Sequence, residues 1–230
     1  MRHIAIKQPA PTSIPQASDY SIVERAYLAI DAIDSTRLCT ATGDLAGYRW
    51  LRSHLDRLCR TVHDHGGEIV KTLGDGLEAC FADADDALVC GLRILNFPFR
   101  DDRVGYSAVR IGLVYGRLIR YTIDGHVDYF GRDVILASRL SRYGTEPGLF
   151  MTTHLLAHLS GVAPGLTSAD VQASEIRLKG IDQPVLVHQL LAQPSNQGTS
   201  RPHLDTSLPC GQCSPDAMRY TEHSEIAGHG

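Results

Sequence analysis

The chain has 230 residues, 43% of them hydrophobic, enough to bury one substantial core. Twenty-two Lys and Arg stand against 26 Asp and Glu, a formal net charge of −4, so there is no basic field of the kind that holds duplex nucleic acid. No apolar run approaches the ~20 residues that cross a bilayer, and the N-terminal MRHIAIKQPAPTS has no continuous apolar segment, so a soluble, cytoplasmic protein without nucleic-acid or membrane partners is expected.

Residues 1–21 carry Pro9, Pro11 and Pro15 among Ser, Thr and Gln without periodicity and read as a flexible leader. Ala26-Tyr27-Leu28-Ala29-Ile30 is an apolar run ending in Asp31, the pattern of a buried strand reaching the surface. From 45 to about 65 the positions Leu45, Tyr48, Leu51, Leu55, Leu58 and Val62 step by three and four until Gly66-Gly67 stops them, which predicts an amphipathic helix. Residues 68–72 and 78–81 predict two strands around Gly74-Asp75-Gly76, a hairpin of the Asp-Gly type. A second helix is expected over 83–96, ended before Pro98, and a long strand over 107–121. A third helix is expected over 131–143, and strands over 175–179 and 185–190 close the domain. From Gln193 the composition turns to Pro, Ser, Asn, Gly and His, a tail with no apolar face.

The folded part is thus 22–192, and its order β-α-β-β-α-β is the ferredoxin-like split βαβ sandwich of the α+β class, an antiparallel sheet with helices on one face. Of the six Cys, Cys39, Cys59, Cys80 and Cys90 fall inside helix or strand patterns, where Cys behaves as a small buried hydrophobe. Cys210-Gly211-Gln212-Cys213, near His203 and His223, is either half a zinc site or part of an unstructured tail, the latter preferred because one C-x-x-C lacks its second half. His154 and His158, spaced i, i+4, lack an acidic third ligand and read as a solvated helix face.

In this topology the first strand lies beside the hairpin, so Asp31 and Asp75 can point to one place. Two carboxylates with hard oxygen donors suit Mg²⁺ or Mn²⁺, which in turn favour triphosphates. Taken alone, Asp75 reads rather as the residue an Asp-Gly turn prefers and Asp31 as a strand-end cap. Ile33, Asp34, Ser35 and Thr36 lead into a helix, where free backbone N–H groups either meet phosphate oxygens or are capped by Ser35 or Thr36.

These segments together resemble a family. Tyr27-Leu28-Ala29-Ile30-Asp31-Ala32-Ile33-Asp34-Ser35-Thr36, Lys71-Thr72-Leu73-Gly74-Asp75-Gly76, Val109-Arg110-Ile111-Gly112, Asp128-Tyr129-Phe130-Gly131 with Ala137-Ser138-Arg139-Leu140, and Leu178-Lys179-Gly180 are similar, in order, to the catalytic domain of class III adenylate and guanylate cyclases. The resemblance covers 22–192. It implies that Asp31, Asp75 and the carbonyl of Ala32 hold two divalent ions, and that a ribose 3′-hydroxyl attacks the α-phosphorus to give a 3′,5′-cyclic nucleotide and pyrophosphate. Lys71 and Asp128 then correspond to the pair that reads adenine, with Lys71 donating to N1 and Asp128 accepting from the exocyclic amine, which selects ATP. Arg110 corresponds to a triphosphate contact and Arg139 to the arginine that stabilises charge on the transferred phosphoryl group. Family members act as head-to-tail dimers, so Asp31, Asp75 and Arg110 of one protomer would face Lys71, Asp128 and Arg139 of its mate.

Two positions depart from the pattern. Four residues before Arg139 the family has an asparagine; here Ile135 offers no hydrogen bond unless Ser138 or a water replaces it. After Lys179-Gly180, a further lysine is replaced by Ile181 and Asp182, leaving Lys179 or Arg177 as substitutes. The readings left open are an adenylate cyclase of low activity, a pyrimidine cyclase making cyclic UMP or CMP in anti-phage signalling, and a nucleotide-binding dimerisation module without turnover.

Overall fold

The computed structural model describes residues 19–96, 99–101, 105–161 and 171–191, with backbone alone at 99–101 and 105–107. Strand β1 runs Tyr20–Ala32, and the apolar run at 26–30 is its buried half. The strand extends further back because β6 (Val109–Ile123) is long enough to pair with all of it, from Tyr20 opposite Tyr121 to Ala32 opposite Val109. Helices α1 (Ser35–Thr42) and α2 (Asp44–Asp64) follow, then β2 (Glu68–Leu73), β3 (Gly76–Phe81) and α3 (Ala84–Asn96). A short ladder of β4 (Phe99–Asp101) and β5 (Gly105–Ser107) precedes β6. After β6 come β7 (His126–Phe130), α4 (Arg132–Leu140), β8 (Gly148–Thr152), α5 (Thr153–Leu156), β9 (Gln172–Ile176) and β10 (Val185–Leu191). The leader, the tail and the pair Cys210 and Cys213 lie outside the described residues, except that β1 already begins at Tyr20.

The main sheet has the order β2-β3-β1-β6-β8-β10-β9, with β7 paired to β6. Its first strands, β2-β3-β1-β6, are antiparallel and form the split βαβ core that the sequence predicts. The expectation of a wholly antiparallel sheet is corrected at one pair: β8 runs parallel to β6, with Arg110 opposite Gly148. Helices also cover both faces rather than one. Ala26, Leu28 and Ile30 of β1 pack with Leu58 and Val62 of α2 and Leu88 of α3, whereas Tyr27 and Ala29 pack with Val134, Ala137 and Leu140 of α4. A strand covered on both sides has no polar alternation, which is why residues 26–30 read as a continuous apolar run. Each such Leu or Ile contributes about 1.5–3 kcal/mol on burial.

The close approach of α4 to β6 depends on Gly112. A Cβ there would lie 2.1 Å from the carbonyl oxygen of Ala137 and 2.8 Å from Cβ of Leu140. On α2 the buried residues are Gly47, Trp50, His54, Leu55, Leu58 and Val62, while Leu45 and Tyr48, expected on the buried face, are exposed; the first turn is covered at Gly47, against Cys39 of α1. The strand expected at 175–179 lies at 172–176; Cys80 and Cys90 are buried and Cys39 and Cys59 half-buried, and these four form no disulfide among the described residues. No helix among the described residues is long and apolar enough to cross a membrane.

Candidate functional site

Leu73 pairs with Gly76, so the hairpin turn consists of Gly74 and Asp75. Gly74 has φ +66° and Asp75 is not in the left-handed region, the requirement of a type II′ turn with glycine first; the turn is therefore Gly-Asp rather than Asp-Gly. Gly76, the first residue of β3, lies against the end of β1. A Cβ on it would sit 2.1 Å from the carbonyl oxygen of Ile30 and 3.5 Å from Cα of Asp31. The turn bearing Asp75 and the strand end bearing Asp31 are thereby brought side by side despite 44 residues of separation.

Beneath this turn sits a residue the sequence reading did not single out. His54 is 2% exposed, stacks on Trp50 with ring centroids 5.1 Å apart, and hydrogen-bonds the backbone of Asp75. Burial pushes its pKa below the ordinary imidazole value, partly offset by the Asp75 backbone and charge, so the neutral ring supports the turn. The signal was available: Trp50, His54, Leu58 and Val62 step by four, and His54 is the polar member of an otherwise apolar stripe.

Asp31 Oδ2 accepts a 2.6 Å hydrogen bond from Arg110 Nη2, while Arg110 Nη1 donates to the Gly144 carbonyl at 2.7 Å. Arg110 is thus turned toward the Asp31 carboxylate, its register partner across β1 and β6. The other oxygen, Oδ1, has only the exposed Arg142 at 3.5 Å, a loose ion pair that costs little to exchange. Hard carboxylate oxygens at the tip of a strand, one of them loosely held, with a second carboxylate on the adjoining turn, fit a divalent cation in donor chemistry. Among the described residues no group of three or more His, Cys, Asp or Glu side chains assembles a metal site, so two carboxylates and a backbone oxygen such as that of Ala32, itself buried, are the donors this region can offer.

The chain entering α1 corrects one expectation. The Ile33 N–H donates to the Ala108 carbonyl at 2.8 Å, extending the β1–β6 ladder, and so is not free to meet a phosphate. Asp34 occupies the N-cap position in the left-handed region (φ 59°) with no side-chain cap, and its carbonyl accepts from Leu38 N. Neither Ser35 nor Thr36 caps this helix, so the N–H groups of its first turn have no capping side chain.

Across the sheet a second cluster forms. Lys71 Nζ lies 2.8 and 2.9 Å from the two oxygens of Asp128, which also accept from Tyr129 N at 2.7 Å and Tyr121 Oη at 3.1 Å. On its other side, Lys71 Nζ is 3.5 Å from Glu78 Oε2, which takes a 2.8 Å hydrogen bond from the Tyr27 hydroxyl. Burial depresses the Lys71 pKa, but the hydrogen bond to Asp128 and the charges of Glu78 and Asp128 outweigh it, and the net shift is upward. The structure therefore joins the Lys71 and Asp128 that the sequence paired, and adds Glu78, Tyr27 and Tyr121, which it did not.

Arg139 is half-buried on α4, and none of the ion pairs among the described residues uses it. Ile135, one helical turn earlier on the same face, is 44% exposed. Arg177 and Lys179 are exposed just beyond β9. His154 and His158 surround Tyr115, with His158 stacked on its ring at 4.2 Å and His154 Nδ1 2.9 Å from its carbonyl, a surface packing arrangement rather than a ligand pair.

No protein-family model matches the sequence, and no curated protein does. Solved structures do. The adenylyl cyclase CyaB from P. aeruginosa is 19% identical with a TM-score of 0.60, covering 78% of this chain and 100% of its own. An adenylate/guanylate cyclase/hydrolase from Silicibacter pomeroyi is 25% identical at TM-score 0.61, covering 76% and 100%. The guanylate cyclase domain of RhGC from Catenaria anguillulae, solved in complex with GTP, is 17% identical at TM-score 0.65, covering 75% and 99%. The chain has the fold of the class III adenylate and guanylate cyclase catalytic domain.

Proposed function

We propose that the chain is a nucleotide cyclase that converts ATP to 3′,5′-cyclic AMP and pyrophosphate as a head-to-tail homodimer. The observation that carries the reading is the seating of Gly76 on the end of β1, which sets the Asp75 turn beside Asp31. Asp31, Asp75 and the Ala32 carbonyl would hold Mg²⁺ or Mn²⁺. A divalent ion bound there supplies a lowered pKa for the ribose 3′-hydroxyl and charge neutralisation for the triphosphate.

The side chains divide the remaining work. Asp31 and Asp75 would hold the cations that face the triphosphate tail, and Arg110 Nη2, once released by Asp31, would be free to donate to a phosphate oxygen while Nη1 stays on the Gly144 carbonyl. The uncapped N–H groups of Ser35 and Thr36 at the start of α1 suit the same oxygens. Lys71 and Asp128, supplied by the partner protomer, read the base: an ammonium donor and a carboxylate acceptor match adenine N1 and its amine, and mismatch guanine at both atoms. Arg139, unpaired by any carboxylate in the described chain, stabilises the charge that grows on the transferred phosphoryl group.

A second reading is favoured by Ile135. An exposed isoleucine one turn before Arg139, where the related domains carry an asparagine, removes a donor worth about 10²–10³ in rate, which describes a nucleotide-binding module with little turnover. Purified protein with Mn²⁺ and each of the four nucleoside triphosphates tests both. Cyclic AMP from ATP supports the first reading, a cyclic pyrimidine product would make a pyrimidine triphosphate the substrate in place of ATP, and saturable binding without product leaves the second.

A further inference from the structure

Strand β3 is buried along its whole length, and five of its six residues, Gly76, Leu77, Ala79, Cys80 and Phe81, carry no charge. The exception is Glu78, 4% exposed, opposite Ala29 of β1 on one side and Lys71 of β2 on the other. A carboxylate so placed is costly to bury, and a buried ion pair returns little net stability over an apolar side chain of similar size. Stability therefore does not account for it. Its contacts suggest what does: Oε2 accepts from Tyr27 Oη at 2.8 Å, itself 0% exposed, and lies 3.5 Å from Lys71 Nζ.

Lys71 is held between two carboxylates of different character. Asp128 already accepts from Lys71, Tyr121 and Tyr129 N, which uses both of its oxygens, and its side chain is 23% exposed. The Glu78 side chain is 5% exposed and lies below. For Lys71 and Asp128 to engage a base, their mutual contact has to loosen, and an ammonium with a single counter-charge would not leave it readily. A second carboxylate beneath the ammonium keeps Lys71 charged and seated while Asp128 turns outward.

We propose that Glu78, fixed by the Tyr27 hydroxyl, is a positioning residue that sets base selectivity by holding Lys71 from beneath and so freeing Asp128 and one Lys71 donor for the nucleobase. The proposal rests on the base-reading role of Lys71 and Asp128 given above. It is a property of this chain's own buried pair, Tyr27 and Glu78, since neither residue reaches the surface where a nucleotide could touch it.

The test compares wild type with Glu78→Gln, which keeps the shape and removes the charge, and with Tyr27→Phe, which removes only the donor. With Mn²⁺, the ATP-to-GTP ratio of kcat/KM is expected to fall about tenfold in E78Q and about threefold in Y27F, carried by KM for ATP, while inhibition by inorganic triphosphate, which carries no base, stays unchanged. The same ratio is read from equilibrium binding of ATP and GTP, which needs no turnover. A changed binding ratio in a protein that makes no cyclic product would retain the Glu78 role and overturn only the cyclase reading. An ATP-to-GTP ratio equal to wild type in folded E78Q or Y27F would overturn the role, as would a loss of triphosphate affinity as large as the loss of ATP affinity.

Discussion

Lys71 on β2 and Asp128 on β7 are 57 residues apart in the chain, yet Nζ lies 2.8 and 2.9 Å from the two carboxylate oxygens. Removing the ammonium with Lys71→Met leaves Asp128 with Tyr121 and Tyr129 N as donors and deprives the base of its cationic donor. A hydrogen bond to a charged group is worth about 1.5–3 kcal/mol, so kcat/KM for ATP is expected to fall roughly 10- to 100-fold. Turnover of GTP should fall far less, so the two substrates converge. Steady-state kinetics with both nucleotides reads this directly, and an ATP preference undiminished in the variant would remove Lys71 from base recognition.

The same pair gives an alkaline stability signature. Burial acts to lower the Lys71 pKa, but its contacts with Asp128 and Glu78 raise it above the ordinary lysine value of 10.5. The folded state thus holds the proton more tightly than the unfolded chain does, and the resulting stability is present in full below pH 10.5 and is lost as pH rises through the folded value. The stability difference between wild type and Lys71→Met should be flat from about pH 7 to about pH 10 and shrink above that. Urea unfolding at a series of pH values measures it; a difference that grows with pH would contradict the network.

What could be read from the sequence follows from range. The β-α-β-β-α-β order was legible because each element declares its own period, and the pairing of Lys71 with Asp128 was legible only through resemblance, since nothing local joins β2 to β7. Three things were hidden for physical reasons. The second covered face of the sheet depends on Gly112 admitting the backbone of α4, a contact 25 residues away with no local mark. The loss of the Ile33 amide to Ala108 is a continuation of the β1–β6 ladder beyond the visible apolar run. The turn toward Asp31 by Arg110 is a cross-strand register effect: the two face each other in the ladder, which a sequence motif aligned on each strand separately does not reveal. His54 and Glu78 are the reverse case: each is a polar residue inside an apolar stripe, a mark that the local sequence does carry.

Ile135 is exposed on α4 one turn before Arg139, so it can be replaced without disturbing the core. Ile135→Asn costs at most a few tenths of a kcal/mol in helix propensity. If a side-chain donor at this position meets the ribose or phosphate, the variant should gain up to roughly 10²-fold in kcat with KM little changed, because the interaction is made mainly in the transition state. Product formation from ATP under single-turnover conditions gives the cleanest measure. An unchanged rate would mean that this surface of α4 does not reach the substrate.

A dimer with shared sites makes the strongest demand on the proposed function. Asp75→Ala removes a carboxylate from the cation side and Arg139→Ala removes the transition-state charge from the other, and in a head-to-tail homodimer these two belong to opposite protomers at each site. Each variant alone should lose turnover by 10²-fold or more, since neither site of its dimer is complete. In an equal mixture, about half of the dimers are mixed and each of these holds one site with both defects and one with neither. Activity should then recover to roughly a quarter of wild type after subunit exchange. Two variants of the same side, Asp31→Ala with Asp75→Ala, should recover nothing, because every site in every combination lacks a carboxylate. Recovery in the first mixture and not the second would place Asp75 and Arg139 on different chains of one site; equal inactivity of both mixtures, with exchange verified by a tagged subunit, would make the site the property of a single chain.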